Sequence, residues 1–452
     1  MSNVQASLDA KICRKCAGDW DQEQPSPCNR HPGSEEDVST SLLSEYEHYL
    51  YAELPAGETI RLLQLAPGIG DELIECNLLV RSLDSNAAYT ALSYTWGDLN
   101  TKHAISCSGK RFCIGENLYS ALLQFRRDGR TEPLWIDAIC INQKNNEEKN
   151  AQVRKMRDIY KRAALVICWL GEEEESDDEG FAFMRKLHTQ YGHLSPQDFQ
   201  SINFKTTDQL GLPDTENHQW KSMAKILYRP YFFRIWIVQE IIAATRCIIQ
   251  CGIHTIDRAS IFAIGAIFEN LHFVKDAMGS NIPLPQSADP DADTDEPVIS
   301  YSVQHLWILK VLIDSGETPK ICQLLMSTRA FKATNPLDKI YALIGLCSDV
   351  SPTFIDYNKH IDEVQIDIAK LCMRNLESWG PMIFSYVDQE HHSDSLPSWV
   401  PDWTSGPQML PLAGSYYDYR TPPAPPPGWH MRSNNVSYVG LCTSLSSLFE
   451  CI

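Results

Sequence analysis

The sequence predicts an α/β protein: a mainly parallel sheet flanked by helices, followed by a mostly helical C-terminal region. Three observations carry this. First, YTALSYTWGD (89–98), LWIDAICINQ (134–143) and LVICWLG (165–171) are short apolar runs rich in β-branched and aromatic residues, and each turns polar or meets glycine at its C-terminal end. Second, segments of helical spacing separate them, so that residues 44–254 alternate strand and helix, the signature of parallel strands joined by crossover helices. Third, FFRIWIVQEII (232–242) is helical in pattern and follows these strands. Strand ends that turn polar together mark the binding crevice of an open α/β sheet.

The elements follow in order. TIRLLQLAP (59–67) and LIECNLLVRSL (73–83) read as strands of an antiparallel or edge element. HAISCSGKRFCIG (103–115) reads as a hairpin turning at Ser108-Gly109. In ENLYSALLQFRR (116–127), Leu118, Leu122 and Phe125 stand at helical spacing. LWIDAICI is the next strand. Asn145 with Glu148 three residues on is a helix N-cap signature, and Val153, Met156, Ile159, Tyr160 and Ala163 then share one helical face. LVICWLG is a further buried strand. Residues 181–228 are mostly helical in pattern, Tyr228-Arg229-Pro230 breaks the chain, a helix follows over 231–244, and 247–253 is a short apolar segment. Residues 255–300 hold a helix and an acidic, proline-rich linker. From 301 to 452 the pattern is mostly helical, with ALIGLC (342–347) at the core end of a helix, LPSWVPDW (396–403), a proline-rich stretch at 421–427 and a last apolar segment, VSYVGL.

Composition bounds the function. The chain has 452 residues, 39 basic and 58 acidic, for a net charge of −19, which argues against a general nucleic-acid binder because phosphate neutralisation needs a basic face. Part of the acidity is local, at 172–179 and 289–296, and reads as solvated loops. No apolar run of about 18 residues is present, so no membrane span is expected. The first residues lack an apolar signal core, and 15 scattered cysteines do not form a disulfide framework. A reducing compartment, cytoplasm or nucleus, is expected.

Residues 1–40 stand apart. Cys13, Cys16, Cys28 and His31 form a C-x2-C-x11-C-x2-H spacing that suits a tetrahedral structural zinc. The intervening DWDQEQPSP is too polar to build a core, so order here would come from the metal. The alternative is a disordered arm with incidental cysteines.

No phosphate-cradling G-x-x-x-x-G-K-S/T loop, no G-x-G-x-x-G, no H-E-x-x-H and no G-x-S-x-G occurs. What remains is a set of polar and aromatic residues at the ends of apolar elements. Tyr94 and Trp96 precede the Gly97-Asp98 turn, and Asp137 sits inside an apolar run where a carboxylate needs a partner. On the 231–244 helix Trp236 and Glu240 are four apart and share a face, with Arg234 on the same helix. A carboxylate beside an aromatic ring in a cleft can hold a sugar hydroxyl and stabilise an oxocarbenium-like centre. The competing readings are a structural ion pair for Glu240, core packing for the tryptophans, and pairing to backbone amides for Asp137.

YTALSYTWGD, LWIDAICINQ with the following EEKNAQVRKMRDIYKRAALVICWLG, and RPYFFRIWIVQEI resemble the three signature blocks of the fungal heterokaryon incompatibility (HET) domain over about 89–244. NPLDKIYALIGL (335–346) and LPSWVPDW resemble segments found downstream in such proteins. HET domains are distantly similar to Toll/interleukin-1 receptor (TIR) domains, which implies TIR/flavodoxin-like winding of the sheet. Some TIR domains cleave NAD at the nicotinamide–ribose bond with a glutamate four residues after a tryptophan. Carried over, the resemblance implies Glu240 as catalytic residue. Tyr94, Trp96 and Trp236 then line the base pocket, with Gly97, Asp98, Asp137 and Arg234 toward ribose and phosphate. It further implies a role in non-self recognition and programmed cell death, through self-association or an incompatibility partner protein. The alternative is a non-enzymatic homotypic interaction module with a structural Glu240.

Overall fold

The computed structural model describes residues 47–374, apart from 71, 86, 98–100, 195–197, 199–210, 215–216 and 271–298, together with 387, 393 and 395–404. The N-terminal cysteine and histidine set, Asp98, the 289–296 stretch, residues 421–427 and VSYVGL lie outside the described residues.

Nine strands make one sheet: β1 (Thr59–Leu65), β2 (Glu75–Ser82), β3 (Thr90–Tyr94), β4 (Lys102–Cys107), β5 (Lys110–Gly115), β6 (Leu134–Trp135), β7 (Leu165–Trp169), β8 (Cys247–Cys251) and β9 (His254–Asp257). Their spatial order is β5-β4-β2-β1-β6-β3-β7-β8-β9. The expected mainly parallel sheet is therefore corrected to a mixed one. Pairings β2–β4, β3–β6, β3–β7 and β7–β8 are parallel, while β1–β2, β1–β6, β4–β5 and β8–β9 are antiparallel. The reason is local: three of the antiparallel pairings join strands consecutive in the chain, and a short turn can only reverse the chain. Ser108 and Gly109, both at positive φ (51° and 71°), form such a turn between β4 and β5, as their sequence suggests. The parallel part is the central block β6-β3-β7-β8.

All five residues of β3 are buried, so both its faces are covered. On one face α1 (Glu116–Arg127) sets Phe125 edge-on to Trp169 of β7, with ring centroids 6.4 Å apart. On the other, Ser93 of β3 and its register partner Cys168 of β7 face Tyr231 and the helix α7 (Trp236–Ala243).

LWIDAICI is not one strand. It pairs only at Leu134–Trp135 and then coils into the short helix α2 (Asp137–Cys140), where the Asp137 carboxylate accepts the Ala138 N–H and the acid favours a helical first turn. The helical face expected from Asn145 to Ala163 is split into α3 (Asn146–Val153) and α4 (Met156–Arg162). Asn145 caps α3 by accepting the N–H groups of Glu147 and Glu148, and the apolar residues from Val153 to Ala163 are buried as their spacing implies.

After α5 (Asp177–Tyr191) and α6 (His218–Leu227), Pro230 opens a 3-10 turn over Pro230–Phe233 and α7 starts only at Trp236. Arg234 thus lies before the helix and not on it. The 172–179 run is not wholly solvated either: Asp177 is buried and paired with Arg229 at 2.7 Å. The remaining helices are α8 (Arg258–Asn270), α9 (Ile299–Asp314), α10 (Ile321–Ser327), α11 (Asp338–Ile344) and α12 (Ile361–Arg374). α7 packs against α4, α9, α11 and β7, which brings the downstream helices onto the sheet.

Candidate functional site

The residues singled out in the three sequence blocks meet at the C-terminal ends of β3 and β6. Trp96, two residues past β3, donates its indole N–H to Asp137 Oδ2 at 3.0 Å. The other Asp137 oxygen accepts the Ala138 N–H at 2.7 Å. Burial raises the Asp137 carboxyl, against the opposing pull of the Arg234 charge and these two donors. Tyr94 closes β3 and is buried, and burial puts its hydroxyl well above the usual tyrosine range. Gly97 is exposed, with its left-handed φ of 72° turning the chain away.

Glu240 stands on the inner face of α7 and is 2% exposed. Its Oε2 accepts a hydrogen bond from the Ser93 hydroxyl, which in turn lies 2.7 Å from the Tyr231 hydroxyl. With Ser93 donating to the carboxylate, Tyr231 donates to Ser93, and the three form one directed chain. Tyr160, whose hydroxyl donates to the Leu92 carbonyl at 3.2 Å, also acts to lower the carboxyl. Arg234 Nη1 lies 3.7 Å from Glu240 Oε2, an ion pair rather than a hydrogen bond. Burial is the largest influence on Glu240 and raises its carboxyl despite Arg234 and Ser93. For Arg234 burial works against the charge, but Glu240 and Asp137 outweigh it and hold the guanidinium protonated.

A third carboxylate joins from downstream. Asp338, in the first turn of α11, accepts the Tyr357 hydroxyl at 2.6 Å. Burial raises its carboxyl, opposed by the Tyr357 and Trp236 side chains and by the charges of Lys149 and Arg234. Lys149 of α3 sits 3.8 Å from the centre of the Tyr357 ring. Burial lowers its pKa, against the pull of Asp338 and Asp137.

The structure therefore brings together Tyr94, Trp96, Asp137, Arg234, Trp236 and Glu240 as the sequence suggests, and sets Gly97 at the rim. Ser93, Tyr160, Tyr231, Lys149, Asp338 and Tyr357 join them without standing out in the sequence. Ser93 carries a readable signal, since a hydroxyl in a strand buried on both faces needs a buried partner. Asp338 carries none, because an acid in a helix's first turn is ordinarily explained by the helix dipole.

The chemistry open to the site is that of a partly desolvated acid beside aromatic rings and one fixed cation. An ionised Glu240 can stabilise a sugar cation, and a raised carboxyl is also suited to take a proton from water. Among the described residues no group of three or more His, Cys, Asp or Glu side chains could hold a metal ion.

The family model described as "Heterokaryon incompatibility protein (HET)" matches residues 89–240. The chain is 26% identical over 409 residues to "Heterokaryon incompatibility protein 6, OR allele" of Neurospora crassa, across 76% of this chain and 57% of that protein. It thus spans somewhat more than half the length of that relative. No solved structure matches the chain. Block by block, the matched region covers β3, α2, β7 and α7 up to Glu240, and stops short of Asp338. Residues 89–240 thus match a heterokaryon incompatibility (HET) domain, in a chain similar to an incompatibility protein.

Proposed function

We propose that this protein is a cytoplasmic effector of non-self recognition and cell death whose HET domain hydrolyses NAD at the nicotinamide–ribose bond. The observation that carries the reading is the convergence of Glu240, Arg234, Asp137 and two tryptophans where β3 and β6 end. The central parallel block supports it: β6-β3-β7-β8 runs second, first, third, fourth in chain order, an order like that of open α/β sheets whose ligands sit at strand C-termini. In the reaction the N-glycosidic bond breaks and its electron pair leaves with neutral nicotinamide. Glu240 stabilises the ribosyl cation, and water adds to C1′ and gives up a proton. At 2% exposure Glu240 is closed to NAD, so turnover requires the Trp96 and Trp236 side of the site to open, as on self-association.

A second reading is carried by the same exposure and by the Tyr231–Ser93–Glu240 chain. Here Glu240 is structural and the HET domain is a non-enzymatic assembly module. The N-terminal Cys13, Cys16, Cys28 and His31 bind a structural zinc in either reading, which metal analysis of the purified chain tests.

One assay separates the readings. Purified full chain is incubated with NAD at assembling concentration and nicotinamide is quantified, with Glu240→Gln in parallel. Wild-type release that falls roughly a hundredfold in a folded Glu240→Gln establishes the hydrolase. Absence of release from an assembled wild type leaves the assembly module.

A further inference from the structure

The matched domain ends at Glu240, and Arg234, the cation facing that glutamate, stands on no helix. Its backbone is extended (φ −77°, ψ 135°) in the short link between the 3-10 turn and α7. We infer that Lys332, through its main chain alone, positions Arg234 opposite Glu240, so that the site is a composite of the HET domain and the turn between α10 and α11. This rests on the NAD-hydrolase reading only for its activity readout.

The two segments meet in a single β-bridge, with Arg234 opposite Lys332. Ile235 N–H donates to the Lys332 carbonyl at 2.9 Å, and Lys332 N–H donates to the Phe233 carbonyl at 2.5 Å. The two peptide planes that flank Arg234 are thus both tied to one downstream residue. Because each peptide is planar, fixing both planes fixes φ and ψ between them, and with these the direction of the Cα–Cβ bond. From that root Arg234 Nη1 comes within 3.7 Å of Glu240 Oε2. From inside the domain Arg234 N–H donates to the Tyr231 carbonyl at 3.3 Å, a longer bond.

The turn that makes the bridge is itself anchored. The Lys339 ammonium donates to the carbonyls of Arg329 (2.6 Å) and Phe331 (2.5 Å), and Phe331 N–H donates to the Thr328 carbonyl at 2.9 Å. Buried Arg329 reaches the Asp402 carbonyl at 3.1 Å. Phe331 is buried, whereas Lys332 is exposed, so Lys332 serves the site with its backbone and not with its charge. A link without the bridge lets the guanidinium move off Glu240, while the glutamate keeps its Ser93 bond.

The experiment reads the titration of Glu240 in the full chain labelled with carbon-13 at the glutamate carboxyl. The resonance is assigned by its loss in Glu240→Gln. The charged and titratable groups around Glu240 are Arg234, Asp137, Tyr94, Tyr160 and Tyr231, none of them on the 328–332 turn. The turn therefore reaches this carboxyl through Arg234. Arg234→Gln raises the Glu240 midpoint by about one pH unit or more, because an opposite charge is lost. Lys332→Pro removes the N–H and raises the midpoint in the same direction by roughly half a pH unit. Lys332→Ala keeps both backbone groups and leaves the midpoint in place. In an Arg234→Gln background Lys332→Pro raises it no further, because both changes act through one guanidinium. Nicotinamide release falls roughly tenfold in Lys332→Pro. If Lys332→Pro does not fold, an ester in place of the 331–332 amide removes the same N–H without the ring and moves the same midpoint. An unmoved midpoint in the folded variant overturns the inference, as does full additivity with Arg234→Gln or an equal rise in Lys332→Ala. Should wild type release no nicotinamide, the hydrolase reading fails alone, and the titration still decides the role of Lys332.

Discussion

Trp96 and Asp137 are 41 residues apart in the chain and 3.0 Å apart in space, an indole N–H on a buried carboxylate oxygen. The bond ties the loop after β3 to the first turn of α2. It favours the ionised carboxylate in a place where burial disfavours it. Trp96→Phe keeps most of the ring and removes the donor. The expected loss is about 1–2 kcal/mol near pH 7.5, read from urea midpoints, because a bond to a charged group is lost. The loss shrinks as the pH falls and the carboxyl takes up a proton. A loss that does not change with pH would show that the ring, and not its N–H, matters.

Glu240 gives a second pH signature. Burial raises its carboxyl above the ordinary value of 4.5 in the folded state. Between the two values the folded protein keeps a proton that the unfolded chain has released, so stability falls as pH rises through this window. Glu240→Gln removes the titration. Its stability relative to wild type therefore improves on going from about pH 5 to about pH 7.5, by up to roughly 1.4 kcal/mol for each pH unit that separates the folded from the unfolded pKa. Guanidinium denaturation of both chains across this range checks the sign. A wild type that gains on the variant as pH rises would mean that Arg234 outweighs burial.

Asp177 lies within an acidic run whose other members are mostly exposed. Arg229 holds it at 2.7 Å, and it also accepts the Glu174 N–H at 2.8 Å. Arg229 donates as well to the carbonyls of Leu170 and Glu172, so the pair locks the loop that leaves β7. Asp177→Ala leaves a guanidinium largely buried without its main partner and is expected to cost about 3 kcal/mol. Glu175→Gln, on the exposed side of the same run, is expected to be neutral within about 0.5 kcal/mol. Thermal midpoints of the two variants should differ by several degrees. Equal midpoints would return Asp177 to the solvated loop.

What the sequence shows and what it hides divide along the range of the contacts. The Ser108-Gly109 turn and the Asn145 cap are local, decided by residues two or three apart, and both are legible. The parallel pairing of β2 with β4 is not, because nothing in either strand names its neighbour. LWIDAICI reads as one strand since apolar content alone does not separate strand from buried short helix. The deciding contact is Asp137 on the Ala138 N–H. The spacing of Trp236 and Glu240 puts both on one helix, where the structure has them. Arg234 is not on that helix, because Pro230 starts a 3-10 turn that ends before it. Asp338 is invisible for the opposite reason. Its sequence setting, an acid opening a helix, is fully explained locally, and nothing in it names the Tyr357 hydroxyl that it accepts.

Lys339 offers the last test, and it probes the start of α11. Its ammonium is buried between the Arg329 and Phe331 carbonyls, and burial, with the Arg329 charge, pulls its pKa down to about 8. The unfolded chain keeps the ordinary value of 10.5. Below about pH 8 both states carry the proton, and the folded state bears the full cost of a buried charge. Between about 8 and 10.5 the unfolded chain binds a proton that the folded one has lost, so this lysine's contribution rises with pH. Lys339→Met keeps the stem and abolishes the titration. The stability of wild type minus that of Lys339→Met should therefore increase from about pH 7.5 to about pH 9.5, by on the order of 1–2 kcal/mol. A flat pH difference would place the ammonium in water.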